Sequence, residues 1–266
     1  HFIADGATDN GKEGGTASIC DTEISQSLLP PYKAAIEEGV GAIMISFNTV
    51  NDIKMHMQKV WITDTLKNAL GFDGIVVSDW KAYSRFGEEN IINAGIDMVM
   101  AVDGDLDYFQ ADLRSAVKNG LVSEERIDDA VRRILRQKFK LGLFKNPLPK
   151  DQSISKIGCF EHRSIARQAV RESLVLLKNK DQILPLEMDQ KIVVVGEHAN
   201  NTGLQSGGWT IHWQGTSQNY RGSTSLLDGL RDLSKEEILY DSTGTADYDA
   251  DVAIVVVGET PYAEFF

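Results

Sequence analysis

The sequence predicts an α/β protein in two units, the first about half of an eight-stranded β/α barrel and the second a separate α/β unit. Three observations lead there. Short apolar runs rich in β-branched residues, at 40–46, 74–77, 95–100, 191–196 and 252–257, have the near-continuous hydrophobicity of parallel strands covered on both faces. They recur at intervals of roughly 20 to 40 residues with helical patterns between them, which is the mark of βαβ units. Between 146 and 158 the alternation lapses into prolines, serines and charges, which reads as a linker. The predicted organisation is a barrel portion over 1–147, a linker over 148–160 and a second unit over 161–266.

Taken in order, residues 2–4 read as the end of a strand and 5–16 as a glycine-rich polar loop of a length that is usually functional in compact domains. A helix over 27–38 places Pro30 and Pro31 in its first turn, where a missing N–H is tolerated. The strand at 40–46 exits at Phe47, a helix over 60–70 leads to the strand at 74–77, and a helix over 83–93 leads to the strand at 95–100. A helix over 123–141 carries Ile127, Val131, Ile134 and Leu135 on one face and stops at Gly142. Its Arg126, Arg132, Arg133 and Arg136 are expected to form a solvated face. Past the linker come a helix over 161–178, the strand at 191–196, a helix over 224–233, and strands at 238–240 and 252–257. Measured against the eight strands and about 250 residues of a typical barrel, the first unit is partial, and the second is expected to be partial too. Open sheet edges make the missing N-terminal barrel half and the rest of the second unit necessary partners for folding.

Composition narrows the function. With 266 residues and 42% hydrophobic content, the chain can build full cores. Its formal charge of -12 argues against nucleic acid and against an anionic membrane surface, since like charges repel. No apolar run approaches the roughly 20 residues of a spanning helix. The chain opens on His1 rather than Met, so residues upstream are expected. Cys20 and Cys159 are too few for a disulfide framework or a zinc site, and the compartment stays open. No cofactor or metal is expected. The strand at 191–196 runs into Glu197-His198-Ala199-Asn200 rather than a G-x-G-x-x-G turn, and no Walker loop, HExxH pair or G-x-S-x-G elbow occurs.

The strand exits carry the chemistry. His1 and Asp5 flank the first, Phe47 follows the second, Asp79-Trp80 the third and Met100 the fourth; a β/α barrel gathers such residues at one face. Ser78 and Asp79 equally suit a cap for the helix starting near Ala82, so the local pattern leaves capping and catalysis both open. In the second unit, Gly258-Glu259-Thr260-Pro261-Tyr262-Ala263-Glu264 places two carboxylates beyond a strand end. Trp209 and Trp213 stand among the glycines of 207–215, either filling space or offering flat faces to a sugar ring.

These strings together resemble glycoside hydrolase family 3. The match rests on Ile75-Val76-Val77-Ser78-Asp79-Trp80, His1-Phe2, Met44-Ile45-Ser46-Phe47, Arg126-Ile127-Asp128-Asp129-Ala130-Val131, Ser173-Leu174-Val175-Leu176-Leu177-Lys178-Asn179, Gly207-Gly208-Trp209-Thr210 and the 258–264 loop, in family order across the chain. The nearest kin by this reading are exo-acting β-D-glucan glucohydrolases and β-glucosidases. The resemblance implies the C-terminal part of a (β/α)8 barrel followed by part of an α/β sandwich, with an active site between the two domains.

It further implies that Asp79 is the nucleophile and Glu264 the acid/base, with Glu259 supporting the loop. His1 matches the histidine of a Lys-His motif that holds sugar hydroxyls, and Met44, Phe47 and Met100 would line that sugar, with core packing as the other reading of the methionines. Trp80 and Trp213 match a pair that sandwiches the second sugar, with Arg85 nearby and Trp209 as a further stacking surface. Lys81 departs from an acidic position in plant relatives, which leaves preferences beyond the first sugar open. The implied partner is a β-linked glucose oligosaccharide or glucan, a substrate class that favours a periplasmic or secreted protein. The alternatives are a β-xylosidase or other β-glycosidase of the same family, and a non-catalytic glucan-binding relative.

Overall fold

The computed structural model describes residues 1–102, 104–148 and 151–264. Pro149 and Lys150, read above as linker, lie outside the described residues. The chain divides into two compact units, His1–Ile157 and Gly158–Phe266.

In the first unit, strands are numbered in chain order as β1 (Thr16–Ala17), β2 (Ala42–Met44), β3 (Thr49–Val50), β4 (Ile53–Lys54), β5 (Ile75–Trp80) and β6 (Met98–Met100). The β-branched runs pair as expected: β2, β5 and β6 lie side by side, all parallel, with Ile43 opposite Val76 and Val77 opposite Met98. Phe2 extends the same sheet at its β2 edge, bridging Ile45 in parallel, with its N–H on Met44 O at 2.7 Å and its carbonyl accepting from Ser46 N at 2.9 Å. Phe2, β2, β5 and β6 thus stand next to one another in chain order, as in a barrel wall. Behind the sheet, Ile3, Ile43, Ile45 and Val76 pack with Ile62, Leu66, Phe72, Ile91 and Ile96 in one buried cluster.

A second, small sheet joins β1, β3 and β4. Strands β3 and β4 form a tight hairpin whose central Asn51 and Asp52 both have positive φ, 48° and 69°, the backbone that a two-residue primed turn requires. The chain leaves this hairpin through a short helical turn, Met55–Met57, that buries His56.

Three expectations about the helices of the first unit need correction. The helix predicted from residue 27 is wound from Asp21, passing through wide π-type turns at Ile24–Leu28 before Pro30–Glu37. Its first turn is polar, with Asp21 and Glu23 favouring the positive end of the helix dipole, so hydrophobic periodicity gave no sign of it. The 83–93 helix is two helices, Ala82–Phe86 and Glu88–Ala94, broken at Gly87, whose φ of 82° no helix accommodates.

The third correction concerns arginines. Helix Glu124–Lys140 is capped by Ser123 as expected, but Arg126 and Arg133 are not solvated. Arg126 is bonded to Asp97 and Asp129; Arg133 donates to Asp129 Oδ1 at 2.9 Å, to Phe72 O at 2.6 Å and to Gly74 O at 3.1 Å. Asp97, whose side chain is wholly buried, also accepts from Lys67 Nζ at 2.6 Å and from Val76 N at 2.9 Å. This cluster bolts the helix to the entrances of β5 and β6, away from the strand exits. Stripping one partner from such a buried group costs about 3–5 kcal/mol, because the remaining charge is left uncompensated. Arg132 and Arg136 are exposed, as expected.

The second unit is a parallel sheet with β7 (Ile192–Val195) between β8 (Leu239–Asp241) and β9 (Val252–Val255). Ile192, Val194, Ala199, Leu227 and Ile238 form its buried core. Helix Leu226–Leu233 is fixed by a reciprocal capping box between Ser225 and Asp228. The 161–178 helix spans Phe160–Ser173 instead, since Leu174 is extended (φ −70°, ψ 135°). An unbroken run such as Leu174-Val175-Leu176-Leu177 carries no period, so it could not distinguish helix from strand.

Candidate active site

Asp79 lies near the carboxyl end of β5, where the ladder to β6 loses its register: Val77 faces Met98 but Trp80 faces Met100. One extra residue on β5 makes a bulge, which frees Ser78 and Asp79 from regular pairing and re-aims them. Side chains take over the bonding. Ser78 Oγ accepts from Met100 N at 2.9 Å and donates to Asp79 O at 2.9 Å. The Asp79 N–H donates to His56 Nε2 at 3.0 Å.

The Asp79 carboxylate accepts from the Trp80 N–H at 2.6 Å and stands 3.2 Å from His1 Nε2, while His1 Nδ1 is 3.6 Å from Asp5. Burial pushes the Asp79 carboxyl up, but the hydrogen bonds from His1 and Trp80 and the neighbouring imidazole charge outweigh it, so it sits below its ordinary value and is ionised at neutral pH. The capping reading fails: helix Ala82–Phe86 begins after Lys81, in the left-handed region at φ 56°, without a side-chain cap.

Around Asp79 the structure gathers several predicted residues. Trp80 is 53% exposed beside half-buried Met100, its partner across the ladder. Met44, also half-buried, is registered with Val77, two positions before Asp79. Phe47 is half-buried against His56, centroid to centroid 5.2 Å, and the Arg85 guanidinium lies 4.5 Å from the Phe47 ring centroid as a cation–π contact. His1 is further anchored by the Tyr32 hydroxyl, which donates to the His1 carbonyl.

Sequence reasoning missed His56. It is fully buried, and burial pushes its imidazole down to about 4 against the opposing pull of Asp79. Lone histidines in apolar strings such as Met55-His56-Met57 carry no spacing signal, and the contact that matters spans 23 residues.

In the second unit, Glu264 is half-buried on the loop after β9. The side chain of Gln214 clamps this loop twice, donating to Glu264 O at 3.1 Å and accepting from Ala263 N at 2.8 Å. Gly208 allows the approach, because a Cβ there would run into the Tyr262 carbonyl. Glu259 is engaged locally: its carboxylate bonds the Tyr262 hydroxyl and its carbonyl lies 3.0 Å from His198 Nε2. Trp209 and Trp213 are not space-fillers, being 69% and 43% exposed with ring centroids 6.4 Å apart.

The model of the glycosyl hydrolase family 3 N terminal domain matches residues 1–137, and that of the family's C-terminal domain matches 174–264. Among solved structures, an exo-1,3/1,4-β-glucanase from a Pseudoalteromonas species superposes with a TM-score of 0.92 at 41% identity, over 99% of this chain and 35% of that one. A β-glucosidase from Listeria innocua, solved with isofagomine, gives a TM-score of 0.83 at 30% identity, over 98% of this chain and 38% of that one. The lysosomal β-glucosidase of Dictyostelium discoideum is 32% identical over 99% of this chain and 36% of its own length. The chain therefore spans a little over a third of these relatives. Matched by both domain models in their natural order, it belongs to glycosyl hydrolase family 3.

Proposed function

We propose that this chain supplies the two reacting carboxyl groups of a retaining, exo-acting β-glucoside hydrolase that releases glucose from the non-reducing end of β-glucans or β-oligoglucosides. The observation that carries the reading is Asp79: an ionised carboxylate, oriented by His1 and the Trp80 amide at a bulged strand exit. In this reading its oxygen attacks the anomeric carbon while the glycosidic C–O bond breaks, leaving a glucosyl ester on Asp79. Glu264 gives its proton to the departing oxygen. It then takes a proton from the water that attacks the anomeric carbon and releases Asp79. Such a pair must come within about 5 to 5.5 Å of each other across the sugar.

His1 holds hydroxyls of the reacting ring, and Met44, Phe47 and Met100 bound its apolar edges. Trp80 and Trp213 receive the next sugar, with Trp209 as an added platform; Arg85, packed on Phe47, shapes the rim. Residues 1–147 serve as the nucleophile-bearing barrel portion, 148–160 as the linker and 161–266 as the acid/base domain. Hydrolysis of a β-glucoside by the full-length protein, followed by proton NMR, tests this. The reading expects β-glucose as the first-formed anomer; α-glucose first, or no hydrolysis, contradicts it.

A further inference from the structure

We infer that His56 is a positioning residue for the nucleophile: its neutral imidazole holds the Asp79 main-chain N–H and so fixes where the attacking carboxylate stands. The inference rests on the reading of Asp79 as nucleophile. It starts from the backbone. Val77 is still in the ladder, its carbonyl accepting from Ile45 N at 2.9 Å, but two residues later the strand has left the regular pattern. In a continued parallel ladder the Asp79 N–H would find a carbonyl on the neighbouring segment. Here the Asp79 N–H goes to His56 instead, while Ser46 N and Ser46 Oγ, on the other edge of that segment, both donate to Phe2 O. An amide left without a partner at this depth would not hold one orientation.

His56 fills the gap from another part of the chain. Its Nε2 accepts the Asp79 N–H at 3.0 Å, which requires a bare Nε2 and a proton on Nδ1, a buried nitrogen with no hydrogen-bond partner among the described residues. The ring cannot swing away. It is fully buried, with Phe47 at 5.2 Å and Phe86 at 5.5 Å between centroids. The β3–β4 hairpin delivers it there, and Met55 N donates to Asn48 O at 3.1 Å to set the entry of the turn. Burial favours the uncharged form that can accept this bond; Asp79 pulls the other way, and His1 and Lys54 reinforce neutrality.

The experiment measures how fast a 2-deoxy-2-fluoro-β-glucoside with a good leaving group forms the ester on Asp79 in the full-length protein, by mass spectrometry. His56→Phe keeps an aromatic ring but has no acceptor; misplacing a nucleophile by about 1 Å slows reaction by about 100-fold, so labelling should fall by about 10- to 100-fold. His56→Gln, whose Oε1 can accept the same N–H, should recover most of that loss. Thermal midpoints of both variants are measured alongside. Wild-type labelling speed in His56→Phe overturns the inference, as does His56→Gln being equally slow at an unchanged midpoint. If His56→Phe does not fold, His56→Gln decides by the same criterion. Label on a residue other than Asp79 in the wild-type protein overturns the nucleophile reading itself, which separates the two failures.

Discussion

The neighbourhoods of Asp79 and Glu264 are built on opposite principles. Asp79 is part of a strand, and its main chain is held on both sides by Ser78 and His56, each fully buried. Glu264 sits on a loop past the end of β9, and that loop is tied down through backbone atoms by the side chain of Gln214. At Asp79 the bonds reach the carboxylate itself, whereas the Gln214 clamp grips the peptide at Glu264 rather than its carboxyl group. A nucleophile needs one charge state and one position. An acid that must later act as a base needs to exchange its proton where it stands.

Glu264→Ala is the largest test of that contrast. With poor leaving groups the rate should fall by about 100- to 10,000-fold, the range for losing a general acid/base. Aryl glucosides with good leaving groups should still glucosylate Asp79, and added azide should restore turnover by replacing activated water. Equal losses across leaving groups, with no azide effect, would remove Glu264 from the role.

A smaller effect sharpens the other half. Folded His56 titrates at about 4 where an ordinary histidine titrates at about 6.5, so the unfolded chain takes up a proton that the folded one refuses. Its contribution is complete above pH 6.5 and is lost progressively as the pH falls toward 4. Between pH 7 and pH 5 that loss is about 2 kcal/mol of unfolding free energy. The depressed carboxylates Asp79 and Asp129 act in a lower window, below about pH 4, where unfolded carboxylates begin to protonate. Urea denaturation of the wild-type protein and His56→Gln at the two pH values checks it. The variant should lose markedly less; equal losses would assign the acid sensitivity elsewhere.

The sequence was legible where one local signal sufficed. The apolar runs at β2, β5, β7 and β9 announced parallel strands, and Asp79 was visible as an acid at a strand exit. What stayed hidden depends on distant partners. Arg126 and Arg133 look like any helical surface until Asp97 and the Phe72 carbonyl, 29 and 61 residues away, are brought beneath them. His56 escaped for the same reason, and the bulge that gives it a task cannot be read from Val77-Ser78-Asp79 alone. By position alone Glu259 and Glu264 are both carboxylates past a strand, told apart in the sequence only by the family resemblance; their surroundings differ, with Tyr262 on the one and Gln214 on the backbone of the other.

The most direct test is to trap the full-length protein with a 2-deoxy-2-fluoro-β-glucoside and map the modified peptide. One fluoroglucosyl group on Asp79, abolished in Asp79→Asn, is the expected result. Modification of a different carboxylate, or complete inactivation with no covalent adduct, would contradict the account.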